Sequence, residues 1–209
     1  MAKLPTRLAV AMHEAGHVAA RMLTPGGPPI HSATLSDGDG DMLGFVDTLA
    51  EWQPSRMETA ESSPATEARW RTFAWNDILF YLCGPLAEMR WRRRSRAFLW
   101  LVASELAERC VAGEDVDDRS DLGRVRRRLR WLHPGEERDA FIRGWLEAEE
   151  LVARNISAID WMGRELCDSG ELLEDEIADM WTALKRAGLA KAPSGDGKLV
   201  LHPGPYSGA

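Results

Sequence analysis

The sequence has few cysteines and no excess of positive charge, and each shortage excludes a class of protein. Its three cysteines, Cys83, Cys110 and Cys167, lie far apart and form no C-x-x-C motif. They predict buried free thiols in a reducing compartment rather than a disulfide framework or a thiolate zinc site. The formal net charge of −7 argues against nucleic-acid binding, because a phosphate backbone attracts a basic face.

The chain also lacks an uncharged apolar stretch of the ~18 residues that a transmembrane helix needs. Its first ten residues, MAKLPTRLAV, do not have the layout of a signal peptide. The most apolar later run, AFLWLVASEL at 97–106, is short and is flanked by arginines and acids. We therefore expect a cytoplasmic protein with no membrane insertion.

What the chain does have is enough apolar material for a hydrophobic core. Apolar residues make up 44% of its 209 residues, and nine are tryptophan. The length suits one domain, which we assign to residues 1–190. The Gly/Pro-rich composition of 191–209 predicts a loose tail.

The first part of the chain predicts one helix followed by two strands. Apolar residues at helical spacing cover 6–23, Thr6 is a suitable N-cap, and Pro25-Gly26-Gly27-Pro28-Pro29 ends the pattern. Two short runs rich in β-forming residues, 30–36 and 42–50, then predict adjacent strands.

The remainder of the chain predicts helices. Residues 53–67 have the composition of a loop, and a helical pattern over 68–110 is interrupted near Cys83-Gly84-Pro85, where Pro85 suits the first turn of a new helix. Further helical patterns cover 120–132, capped by Ser120 or Asp121, then 136–168 and 174–187. This order predicts an α+β fold in which helices dominate.

The first predicted helix contains an H-E-x-x-H motif in Met12-His13-Glu14-Ala15-Gly16-His17-Val18. His13 and His17 are four residues apart, so their imidazoles project from one face and suit one Zn²⁺ at about 2.0–2.1 Å. Glu14 is rotated by about 100° from His13, which places it beside the ion as a base for a bound water. The competing interpretation is a buried helix with two histidines that bind no metal and whose ring nitrogens are satisfied by hydrogen bonds. Because the helix is otherwise apolar, a charged Glu14 would be costly there without a metal or a proton-transfer role.

A catalytic zinc ion needs a third protein ligand and an open fourth position. The candidates in the chain are two acids, Glu88 and Asp121, and two further histidines, His31 and His133. Their spacing from the motif does not decide between them.

Five segments in chain order carry a resemblance to a known family. They are AVAMHEAGHVAARML, IHSATLSDGDGDMLGFV, ILFYLCGPLAEMRW, SDLGRVRRRL and LVARNISAIDWMGRELCDSGELLEDEI. In order, they resemble the H-E-A-G-H-A helix, the strand pair, the L-x-G-R-x-A-E-E helix, the S-N-D-L-x-x-A-T segment and the closing helices of the peptidase domain of FtsH-type ATP-dependent zinc metalloproteases. The resemblance spans roughly residues 6–180, and H-E-A-G-H is its most specific part.

The resemblance implies a fold and a ligand set. It implies a zincin-like H-E-x-x-H helix with a small two- or three-stranded β element and a C-terminal helical bundle. It also implies one Zn²⁺ per chain held by His13, His17 and Asp121, with Glu14 as the catalytic base. Glu88 would then contact a zinc ligand without binding the ion itself, or it would serve as the alternative third ligand.

The sequence departs from that family in several places. It contains no G-x-x-x-x-G-K-[ST] motif of an AAA+ module and no membrane anchor, and Cys83 and Pro85 replace small and basic residues of the family pattern. We therefore expect no intrinsic ATP-driven unfolding. The oligomeric state is not deducible, and a separate ATPase partner is not identified.

These features predict an ATP-independent zinc metalloendopeptidase that cleaves unfolded or extended polypeptide along the edge of the 42–50 strand. The alternative is a catalytically weak or inactive zinc-containing module that binds or regulates another protein. Its surface would bind the partner through tryptophans and through the arginine groups at 90–96 and 124–130. Tryptophans at helical spacing ordinarily belong to the core, and arginines near acids on a helix ordinarily form a solvated face.

Overall fold

The computed structural model describes residues 6–24, 29–37, 42–48, 64–112 and 116–191. These residues are mostly helical and include a small antiparallel sheet, so the predicted α+β class with dominant helices is confirmed. The elements in chain order are α1 Arg7–Leu23, β1 Ile30–Asp37, β2 Met42–Thr48, α2 Pro64–Trp91, α3 Arg96–Ala112, α4 Asp121–Leu132, α5 Glu137–Ser169, β3 Glu171–Leu173 and α6 Glu174–Arg186.

The sheet has the order β2-β1-β3, and β1 pairs antiparallel with both neighbours. The adjacent pairing of the two predicted strands is confirmed, while 38–41 and 49–50 lie outside the described residues. Three strands agree with the expected two- or three-stranded β element, but the position of β3 was not predicted, because three residues are too few to display an alternating pattern. It follows Gly170, whose positive φ of 83° ends α5 and turns the chain toward β1.

Helix α2 contradicts the predicted interruption at Cys83-Gly84-Pro85, because it continues through Pro85 to Trp91. An internal proline costs a helix about 3 kcal/mol. Packing of α2 between α1 and α5 offsets that cost, since the flanking Cys83 and Leu86 are completely buried. The chain instead turns after Trp91, where Arg93 has a positive φ of 54°.

The predicted loop over 53–67 is wrong at its end, because α2 begins at Pro64. Proline is favoured in the first turn of a helix, where its missing N–H removes no hydrogen bond. Residues 53–63 and the predicted tail from 192 lie outside the described residues.

Two predicted helix starts are confirmed. The Thr6 side chain accepts a hydrogen bond from the Ala9 N–H, and the Ser120 side chain accepts one from the Gly123 N–H. The three cysteines are also free, as predicted, with Cys83 and Cys110 buried and Cys167 half-buried.

Helix α1 lies at the centre of the molecule. It packs against α2 and α5, and both β1 and β2 cover part of its surface. The contact with α5 is close, because a Cβ on Gly163 would lie 2.7 Å from the Met12 sulfur. This burial from several sides places the H-E-x-x-H motif inside the protein. No helix among the described residues is both long and apolar enough to cross a bilayer.

Candidate metal centre

The two motif histidines lie side by side on α1, as their spacing predicts. Their ring centroids are 4.8 Å apart and the ring planes meet at 72°. The His17 side chain is 5% exposed, whereas that of His13 is 25% exposed. The pair therefore consists of one buried imidazole and one partly solvent-exposed imidazole.

Asp121 reaches these histidines from α4. Its Oδ2 atom lies 2.9 Å from His13 Nε2 and 3.3 Å from His17 Nε2. Asp121 is the first residue of α4, and Ser120 fixes that position by capping the helix and donating to the Asp117 carbonyl at 2.6 Å. The acid is thus held on the first turn of a well-defined helix.

The second ring nitrogen of each histidine has its own partner. His17 Nδ1 lies 2.7 Å from the Phe80 carbonyl oxygen, and His13 Nδ1 lies 3.6 Å from Glu88 Oε2. Histidines that bind metals commonly donate the other ring N–H to a carbonyl or carboxylate, which fixes the ring and its tautomer. Both Nε2 atoms consequently converge on the Asp121 carboxylate.

The donor set fits a zinc ion. Ligands of a tetrahedral zinc at about 2.0–2.2 Å lie about 3.3–3.6 Å from one another. The two distances between Asp121 Oδ2 and the imidazoles, 2.9 and 3.3 Å, require only a small opening to reach that arrangement. Two imidazole nitrogens and one carboxylate oxygen form a ligand set typical of catalytic zinc.

The other candidate ligands do not join this group. Among the described residues, the ligand atoms that lie within 4.8 Å of one another belong to His13, His17 and Asp121. His31 is exposed on β1, and His133 ends α4 with its ring 6.0 Å from Trp75. Glu88 lies at the Nδ1 side of His13 and also accepts a hydrogen bond from Arg92 at 2.8 Å.

Glycines bring α2 against the histidines. A Cβ on Gly84 would lie 2.5 Å from His17 Nε2 and 2.8 Å from His13 Cδ2. A Cβ on Gly16 would lie 2.5 Å from the Cys83 carbonyl oxygen. The backbone of α2 therefore forms one wall of the site, and a side chain at position 84 would fill it.

Glu14 lies on a different side of α1, against β2. A Cβ on Gly44 would lie 2.6 Å from Glu14 Cγ and 2.7 Å from its Oε1 atom, so the missing side chain makes room for this carboxylate. Glu14 is 5% exposed. It lies against β2, an end strand of the described sheet, and its charge interacts with those of His17 and His13.

The charges of the site reinforce one another. Burial opposes protonation of His13, but hydrogen bonds to Asp121 and Glu88 outweigh it and raise the pKa of His13 to about 10. Burial likewise opposes ionisation of Asp121, but the adjacent His17 and His13 hold the pKa of Asp121 well below its usual range. Burial raises the pKa of Glu14 against the opposing effect of the histidines. Asp121 is therefore ionised, which is the form that binds a cation, and a bound zinc ion would have to displace the proton that His13 carries in its absence.

Sequence reasoning missed two parts of the site. The Phe80 carbonyl gives no sequence signal, since every residue carries one. Gly84 does carry a signal, because glycine within a helix costs stability and often marks a close approach. The predicted interruption at Cys83-Gly84-Pro85 assigned this glycine to a chain break instead.

No protein-family model matches the chain, and no curated protein matches it at a significant level.

Proposed function

We propose that this protein is a zinc metalloendopeptidase that acts without an ATPase module of its own on unfolded or extended polypeptide. The observation that carries the proposal is the convergence of His13 Nε2, His17 Nε2 and Asp121 Oδ2. The buried Glu14 follows His13 on α1, and its charge interacts with those of both histidines. The similarity of five segments to the FtsH-type peptidase domain supports the same conclusion. Asp121 is the proposed third ligand, and Glu88 orients His13 from its other ring nitrogen.

The proposed chemistry divides between the ion and one carboxylate. His13, His17 and Asp121 would hold the zinc ion, which when bound would lower the pKa of a coordinated water to ~7 and polarise a carbonyl oxygen. Glu14 accepts the proton of the attacking water at a carboxylate oxygen and then delivers it to the leaving amine. The burial that raises the pKa of Glu14 makes this carboxylate a stronger base than an exposed one.

Strand β2 is the proposed docking site for the substrate backbone. It is an end strand in the order β2-β1-β3, and Gly44 in its middle contacts Glu14. An extended peptide that adds to this edge by main-chain hydrogen bonds would pass close to the base. Because such pairing needs an extended chain, the expected substrates are peptides, loops and unfolded segments.

The test compares bound zinc with cleavage of casein for the wild type and Glu14→Gln. We expect both proteins to bind one zinc per chain and only the wild type to cleave, because the amide keeps the shape of the site but cannot accept a proton. Cleavage by Glu14→Gln at the wild-type rate would contradict the assigned role.

Two further variants separate the proposed ligand from its alternative. Asp121→Asn should lose zinc and cleavage together, whereas Glu88→Gln should keep zinc with affinity reduced about tenfold. Metal analysis after dialysis distinguishes them. Zinc loss from Glu88→Gln with retention by Asp121→Asn would reverse the assignment.

The second candidate function is a zinc-containing module that binds another protein. It is favoured by an exposed group at the start of α3, where Phe98, Trp100 and Leu101 are 38, 51 and 66% exposed. Arg96 beside them has an 83% exposed side chain. Zinc binding without cleavage by the wild type, over a broad panel of unfolded substrates, would favour this function.

A further inference from the structure

Three charged side chains form a buried cluster next to the metal centre. Asp77 Oδ1 accepts a hydrogen bond from Arg21 Nη2 at 2.7 Å, and Asp77 Oδ2 accepts one from Arg128 Nε at the same distance. Arg128 Nη2 also donates to Oδ2, so this contact is two-pronged. The three side chains are only 4–5% exposed. Burying two cations and one anion carries a large desolvation cost. A net gain in stability is therefore a weak explanation for this cluster, and a role in positioning is a better one.

The cluster joins the three helices that build the metal centre. Arg21 lies one turn after His17 on α1, and Arg128 lies about two turns after Asp121 on α4. Asp77 belongs to α2. The carboxylate therefore binds one arginine from each helix that supplies a proposed zinc ligand.

Two aromatic residues of α2 connect the cluster to the imidazole. The Phe80 ring stacks on His17 at 4.7 Å, and the Arg21 guanidinium lies 4.6 Å from the same ring. The Tyr81 ring contacts the edge of His17 at 6.2 Å, and the Arg128 guanidinium lies 4.8 Å from it. The cluster and the metal centre thus share one continuous packed contact.

Helix α4 has an apolar face and a charged face. Its sequence, DLGRVRRRLRWL, contains five arginines, and three of its five apolar side chains, Val125, Leu129 and Leu132, are buried. Because apolar contacts are not directional, the paired hydrogen bonds of Arg128 add a directional restraint on the rotation of α4 about its axis. A shift of one residue would turn Asp121 by about 100°, away from the imidazoles.

We propose that Asp77, through its paired contacts with Arg21 and Arg128, is a positioning residue that sets the rotation and distance of α4 so that Asp121 meets the two imidazoles. This role rests on the proposed function, since it concerns the geometry of the same metal centre. It assigns a role to one arginine of the 124–130 group, for which the ordinary expectation is a solvated face, because Arg128 is buried.

The test is a titration with Co²⁺, which replaces zinc and reports its ligand geometry by visible absorption, on wild type and Arg128→Met. This variant frees α4 while Asp77 keeps Arg21, so no buried acid is left alone. We expect affinity to fall by about tenfold, with a weaker absorption band as Asp121 leaves the ion.

The matched control is Arg90→Met, which removes a hydrogen bond between α2 and α5 at 2.6 Å while Glu149 keeps Arg96 at 3.8 Å. It should bind Co²⁺ as the wild type does and give the same spectrum. Equal losses in both variants would overturn the proposal, because they would reflect general destabilisation.

Wild-type affinity and spectrum in a folded Arg128→Met would also overturn the proposal while leaving the proposed function intact. No Co²⁺ binding by the wild type would instead remove the proposed function, and the positioning role with it. Should Arg128→Met fail to fold, Arg128→Lys is measured by the same criteria, since lysine keeps the charge but not the two-pronged contact.

Discussion

At the scale of single residues, the proposed site depends on one absent side chain as much as on those present. Gly84 lets the α2 backbone pass beside both imidazoles, where a Cβ would lie 2.5 Å from His17 Nε2. Helix propensity alone favours alanine over glycine by about 1 kcal/mol. Helix propensity therefore favours alanine at position 84, whereas the space beside the imidazoles allows only glycine.

Gly84→Ala should consequently lose zinc even though alanine is the better helix former. The added methyl must displace the imidazole of His17 from its place beside Asp121. Dialysis against zinc followed by metal analysis measures the loss. Gly144→Ala is the control, because the same exchange on α5 brings a methyl 3.2 Å from Ile78 Cγ2, away from the site. Equal zinc content in both variants would contradict this account.

Residues of the site differ in how far the sequence predicts them. The i, i+4 spacing predicted that His13 and His17 share one face, because that relation is local to a helix. The choice of Asp121 over Glu88, His31 and His133 came from the family resemblance, and the structure places Asp121 beside the histidines. The Phe80 carbonyl and Asp77 were not predictable, since their partners lie 63 and 51–56 residues away.

At the scale of elements, local signals predicted helix starts better than helix continuity. Thr6 and Ser120 were predicted from their own chemistry, since a side-chain oxygen satisfies free N–H groups at a helix start. Pro85 predicted an interruption that burial between α1 and α5 overrides. Packing against elements distant in sequence is the information that a local pattern does not contain.

The cap of α4 should influence the site because Asp121 follows it directly. Ser120→Ala removes the acceptor for Gly123 N–H at 3.2 Å, and should cost about 1 kcal/mol of unfolding free energy. Loosening of the first turn should also weaken zinc binding. Denaturant unfolding and a zinc titration measure the two effects.

Thr6→Ala provides the comparison at the start of α1. Thr6 makes a similar hydrogen bond to Ala9 N–H at 3.3 Å, but lies almost two turns before His13. It should lose similar stability while zinc affinity stays unchanged. Equal losses of zinc affinity in both variants would show that the Ser120 cap has no specific effect on Asp121 as a ligand.

At the scale of the whole molecule, the proposed zinc ion would connect segments that are distant in sequence. His13 and Asp121 are 108 residues apart. A ligand that binds only the folded state adds to its stability in proportion to the logarithm of its concentration. The ion should therefore stabilise the fold as a whole rather than one helix.

Zinc at about 100 times its dissociation constant should raise the unfolding free energy by ~2.7 kcal/mol. Thermal unfolding with zinc and after removal of zinc by a chelator measures the difference. His13→Ala should show no zinc-dependent shift, because one ligand is missing. A shift of wild-type size in this variant would mean that the stabilising ion binds elsewhere.

The separation of Asp121 from the motif also bears on how the protein is made. A nascent chain that has left the ribosome only as far as α3 carries both imidazoles and Glu14, but not the carboxylate that completes the proposed ligand set. Cutting activity would then begin only after α4 has emerged and docked. If the proposed peptidase activity exists, the order of synthesis would keep an incomplete chain from cleaving neighbouring proteins or its own unfolded segments.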